Sequence, residues 1–179
     1  MDQRRIYKMN LYEYHTNPEA LYGYEILRME YANPTLEMCE RITDNNTGSI
    51  DFSEFPFNLV QQLPVGITVV NGSLNITHTQ VTHLSNITEV GWDILALGSQ
   101  ITHLPDNLTV RGSLFIGRTQ ITHLPNNLEV YDDLVLDDTP ITHIGNNLIV
   151  GNNLYIRNTP NLDKTNLPSD MQVETMHLV

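Results

Sequence analysis

The chain has 179 residues and a single cysteine, Cys39, which suits one domain or two small ones and excludes an intramolecular disulfide framework or a Cys-pair metal site. Nine basic against 21 acidic residues give a net charge of −12, a field that repels nucleic acid and anionic membranes and attracts basic protein surfaces. No stretch reaches the unbroken apolar length of a membrane helix, and MDQRRIYKMN lacks the apolar core of a secretory signal, so a cytoplasmic location is expected.

Residues 1–47 are expected to form an N-terminal helical segment or cap. Asn17 is a candidate cap residue, Pro18 suits the first helical position and Glu19 the first turn. Leu21, Tyr24, Ile26 and Leu27 mark an apolar side, and Asn33-Pro34 restarts the chain as a second short helix. Six of the eight tyrosines fall in residues 7–31, so the alternative to a cap is a separate aromatic docking surface. The cap is the simpler reading, because the end of a repeat array exposes unpaired core and strand edge.

Residues 48–179 speak in repeats. Ile or Val followed by Thr-His occurs at Val81–His83, Ile101–His103, Ile121–His123 and Ile141–His143, always 20 residues apart. Full repeats run over 63–179, about five coils with a truncated sixth, and GSIDF at 48–52 resembles a half-turn before them. Within one copy, Leu108 and Val110 alternate with polar residues, then Leu114 and Ile116 do, then Ile121 and Leu124 follow. Such short period-two runs predict short strands with one buried face. One 20-residue unit buries too little alone, so the copies must stack as a solenoid around a shared core that includes Leu114, Ile116, Leu134 and Leu136.

LFIGRTQITHLP and LVLDDTPITHIG resemble the core pattern of leucine-rich repeats in their short bacterial form. The departure is Thr79, Thr119, Thr139 and Thr159, with Ser99, where that family usually carries asparagine. A hydroxyl offers fewer hydrogen bonds than an amide, so the turn must be built differently. Thr-variant arrays of the kind LPDNLTV…GSL…T are similar to those in proteins of tailed phages and their bacterial hosts. The resemblance covers roughly two-thirds of the chain. It implies an α+β repeat protein: a leucine-rich-repeat-like parallel β-solenoid of 20-residue coils with an N-terminal helical cap. The extra Leu-x-Val strand leaves a more regular β-solenoid open. A bacterial or phage-infected cytoplasm is the implied setting. Fold of this kind does not by itself fix function.

Chemistry-bearing patterns are sparse. His83, His103, His123 and His143 should form a ladder, which invites metal binding or pH sensing. Duplication alone explains their register, and no carboxylate or cysteine recurs beside them, so no metal and no cofactor are expected. Asp132, Asp133, Asp137 and Asp138 lie within seven residues, but alternation sends neighbours to different sides, favouring a solvated acidic patch over a cation site. No nucleophile elbow, phosphate loop or zinc-protease motif occurs, and an enzyme is not expected.

The functional reading rests on the outward column of the second strand. Asn75, Leu95, Phe115, Val135 and Tyr155 occupy it in successive copies, four of them large and apolar. Asp93, Ser113, Asp133 and Asn153 flank it on one side, with Leu97, Gly117, Asp137 and Arg157 on the other. An apolar centre with a polar rim suits protein docking. From residue 61 onward, four basic residues oppose 11 acidic ones, a net of −7, so the expected partner is a protein with a basic or mixed surface. Neither nucleic acid nor membrane is an expected partner, and the N-terminal helices or a second copy of the chain are alternative occupants of the stripe. The alternative function is an acidic mimic of nucleic acid that inhibits a DNA- or RNA-binding host protein, as a phage inhibitor of host defence.

Overall fold

The computed structural model describes residues 48–53, 63, 67–84 and 86–178. The expected N-terminal helices lie outside these residues. Among the described residues the secondary structure is strand, bridge and turn without helix, and the architecture is a parallel β-solenoid of about six coils of about 20 residues.

Two rows of strands run along the stack. The first comprises β1 (Ile50–Asp51), β3 (Leu74–Asn75), β5 (Ile94–Leu95), β7 (Leu114–Phe115) and β9 (Leu134–Val135), and continues into the end of β10 (Ile149–Tyr155). The second comprises β2 (Val69–Val70), β4 (Glu89–Val90), β6 (Thr109–Val110) and β8 (Glu129–Val130), and reaches the start of β10. The last strand, β11 (Gln172–His177), pairs with β10 across both rows, so the final repeat completes a coil that looked truncated in the sequence. A third wall is marked by the parallel bridges His83↔His103 and His123↔His143. The Leu-x-Val motif thus builds a second full row of strands.

Strands this short follow from the spacing of apolar residues. Leu108, Val110, Leu114, Ile116, Ile121 and Leu124 all turn inward in one coil, and each is buried. Two inward residues are all a wall accommodates before the chain must turn. The next coil, about 4.8 Å along the axis, puts Leu128, Val130, Leu134, Leu136, Ile141 and Leu/Ile chemistry at 144 onto the same positions. Burying each such side chain contributes roughly 1.5–3 kcal/mol against the entropy of ordering it. Leu114, Ile116, Leu134 and Leu136 are fully buried, as the periodicity requires. GSIDF belongs to the same stack: Ile50 and Phe52 are buried, and β1 pairs with β3.

The threonine variant has a local explanation. His78, Gly98, Arg118, Asp138 and Asn158 occupy one corner with φ between 50° and 65°, the left-handed region. Each is followed by the buried hydroxyl residue Thr79, Ser99, Thr119, Thr139 or Thr159. The threonine Oγ1 atoms donate to the carbonyls of Ile76, Ile116, Leu136 and Ile156, three residues back, at 2.7–2.9 Å. One short donor therefore closes a tight corner inside the core, where a longer amide would need more room. Ser99 makes no such bond: its Oγ is buried without a partner.

Candidate interaction face

The outward residues of the first row are in register from coil to coil: Asn75 with Leu95, Leu95 with Phe115, Phe115 with Val135, and Val135 with Tyr155. Alternation turns Leu114 and Leu134 into the core and leaves Phe115 and Val135 on the outer side. Leu95, Phe115, Val135 and Tyr155 are half-buried, less open than isolated outward residues, because stacked neighbours cover one another's flanks. The column ends on β11, where the His177 ring stacks on Tyr155 with centroids 4.5 Å apart and planes 7° from parallel. The Arg157 guanidinium lies 5.4 Å from the centroid of the Tyr155 ring.

The flanking acidic residues serve the stack itself. Asp93 Oδ1 accepts the Ser113 N–H at 2.8 Å, Ser113 Oγ accepts the Asp133 N–H at 3.3 Å, and Asp133 Oδ1 accepts both the backbone and side-chain N–H groups of Asn153. His177 Nε2 lies 3.2 Å from Asn153 Oδ1 at the end of this relay. On the other flank Asp137 Oδ1 accepts the Arg157 N–H at 2.8 Å, and Asp137 Oδ2 pairs with the Arg157 guanidinium. That pairing raises the Arg157 pKa above its ordinary value, through the hydrogen bond first and the charge second.

Gly117 interrupts the same flank between Leu97 and Asp137. A shallow cleft opens there, lined by Leu97, Val135 and the paired charges Arg118–Asp138 and Arg157–Asp137. The Asn158 side chain donates to Asp138 at 2.6 Å and, with the Arg118 guanidinium, holds that carboxyl below the usual range. The four clustered aspartates therefore do not share one site. Asp132 accepts from Asn152, Asp133 from Asn153, Asp137 from Arg157, and Asp138 from Arg118 and Asn158.

The histidine ladder lies on the third wall. His83, His103, His123 and His143 are exposed, and the hydroxyls of Thr82, Thr102 and Thr122 lie 2.8 Å from Nδ1 of the histidine that follows each. The rings of His123 and His143 are 6.1 Å apart and tilted by 53°. Thr102 Oγ1 also lies within hydrogen-bond reach of the Thr82 carbonyl, at 3.2 Å, which ties the ladder to the coil before it. Among the described residues, no three His, Cys, Asp or Glu side chains come together as a metal site.

Two aromatic residues outside the stripe are more exposed than any member of it. Trp92 is 66% exposed and Tyr131 49%. Both stand at the corner between the second and first rows, where strand alternation makes no assignment. A sequence signal was present in the runs VGWDI and VYDDL, which place an aromatic residue among glycine and acids between two core positions.

Comparison of the chain with protein-family models, characterised proteins and solved structures gives no significant match. No helix among the described residues is long and apolar enough to cross a membrane.

Proposed function

We propose that the chain is a non-enzymatic interaction module that docks a protein partner on the outer side of the first strand row. The observation that carries this reading is the register of Leu95, Phe115, Val135 and Tyr155, four apolar side chains aligned on adjacent coils. A rigid ladder of this kind presents a preformed surface, and preformed surfaces lose little entropy on association. Phe115 is its central aromatic anchor, and the Gly117 cleft beside it offers room for a partner side chain. The acidic charge favours a partner with a basic or mixed surface in the cytoplasm of a bacterial or phage-infected cell. The likeness of the repeats to bacterial leucine-rich repeats is in keeping with such a role.

The alternative is an acidic mimic of nucleic acid that inhibits a DNA- or RNA-binding host protein. The coil-spaced carboxylates of Asp93, Asp133 and Asp137 weigh against it, since each is engaged by the next coil's backbone rather than displayed as a free anionic row. Affinity capture followed by mass spectrometry identifies the partner, and binding of that partner across a salt series separates the two readings. Docking through apolar contacts persists as ionic strength rises, whereas mimicry weakens steeply.

A further inference from the structure

We infer that the corner around Trp92 is a cation-binding notch, and that it takes a lysine or arginine side chain of the partner protein. The inference rests on the docking reading above and names the chemistry of one residue the partner brings. Trp92 is the chain's single tryptophan and its most exposed large apolar residue among those described. Its exposure has a definite cause. Trp92 donates its backbone N–H to Gly72, Gly112 donates to Trp92, and Asp132 donates to Gly112, each at 3.2 Å, so these four residues stand in one column on successive coils. On either side of Trp92 in that column is a glycine, and Gly91 precedes it in the chain. No neighbouring side chain in the column covers the indole.

Beyond Gly112, which carries no side chain of its own, stands Asp132, which is exposed and, among the described residues, accepts a long 3.3 Å hydrogen bond from the neutral Asn152 side chain. At about 4.8 Å per coil, the backbones of Trp92 and Asp132 are roughly 10 Å apart along the axis, so a cationic head group seated over Gly112 between the two side chains is within reach of both. Among the described residues Arg111 is committed elsewhere: it pairs with Glu89, and its guanidinium lies 5.7 Å from the centroid of the Tyr131 ring. The Glu89 carboxylate offsets the Arg111 charge, and among the described residues no cation pairs with Asp132 or with Asp93, whose carboxylate lies against Gly112 and accepts the Ser113 N–H. An aromatic side chain and a carboxylate that flank one gap together select a cation. An anion meets repulsion from Asp132, and a purely apolar group desolvates that carboxylate without compensation. The surrounding net charge of −12 favours the same ligand.

Because Trp92 is the only tryptophan, its emission reports on the notch in the intact protein. The probe is an Arg-Gly repeat peptide, compared with its counterpart carrying uncharged citrulline in place of arginine. The expected result is a saturable change in Trp92 emission with the arginine peptide alone. Asp132→Asn keeps an acceptor for Asn152 and should weaken binding about fivefold, in line with an exposed cation–π and charge contact. Glu129→Gln removes an equal charge from the outward side of β8 and should leave affinity within about twofold. Equal loss in both variants would show diffuse attraction and overturn the notch, as would a matching response to the citrulline peptide or no response at all. Phe115→Ser lies outside the notch and should leave the Trp92 titration unchanged, so failure of the stripe and failure of the notch are told apart.

Discussion

The Asp93 carboxylate accepts the backbone N–H of Ser113, 20 residues later in the chain and one coil along the stack, at 2.8 Å. This contact joins adjacent coils through a side chain, in addition to the strand pairing of Ile94 with Leu114 beside it. Replacing Asp93 with alanine leaves the half-buried amide without its charged acceptor. A loss of about 1.5–3 kcal/mol is expected, read as a lower urea midpoint, while Asp93→Asn retains an oxygen acceptor and loses less. An unchanged midpoint for Asp93→Ala would show that the relay adds nothing to stability.

The buried hydroxyls make a paired prediction. Thr119→Val keeps the shape of the side chain but removes the donor to the Ile116 carbonyl, and should cost about 1–2 kcal/mol. Ser99 has the same place in its coil without a partner for its Oγ, so Ser99→Ala should be neutral or stabilising. Thermal unfolding of both variants checks the contrast, and equal effects would contradict it.

The left-handed corner gives a third. Arg118 has φ 56°, and only glycine adopts that conformation without steric cost. Arg118→Gly gives up an exposed ion pair with Asp138, which is worth little, and relieves about 1 kcal/mol of backbone strain. At the other corner, Asn127 combines φ 55° with an amide ladder from Asn107 to Asn147, so Asn127→Ala should lower stability by about 1–2 kcal/mol. Chemical denaturation of the two variants should move in opposite directions.

Asp138 is held below the ordinary carboxylate range, first by the hydrogen bond from Asn158 and then by that from Arg118. A carboxyl with a depressed folded pKa adds stability that is present above its unfolded value and is lost as pH falls through the folded one. Carbon-detected NMR should therefore find Asp138 titrating at lower pH than a free aspartate, with Asn158→Ala moving it upward. An identical titration in the two proteins would exclude Asn158 as the main cause.

The sequence carried the stack but not its seams. A 20-residue period fixes which residues share a column, and alternation fixes which columns face inward, so Leu114, Ile116, Leu134 and Leu136 were legible in advance. The same logic placed Leu95, Phe115, Val135 and Tyr155 on the outer side but overstated their openness, because burial by the next coil depends on side-chain packing. Asp93 and Asp133 read as a charged rim, yet their carboxylates turn to backbone amides one coil away. Trp92 and Tyr131 carry no alternation signal, because corners follow no two-residue period.

The proposed docking of a protein partner on the Phe115 column is tested most directly by the affinity of the captured partner for a Leu95→Ser, Phe115→Ser double variant. Tyr155 is left intact, because its ring stacks on His177 and helps hold β11. Loss of a well-packed aromatic anchor costs about 2 kcal/mol or more, so binding should weaken by more than roughly 30-fold. Cooperative unfolding should be retained, since both replaced residues lie on the outer side of the strand row. Undiminished affinity in a folded double variant would contradict docking on this face.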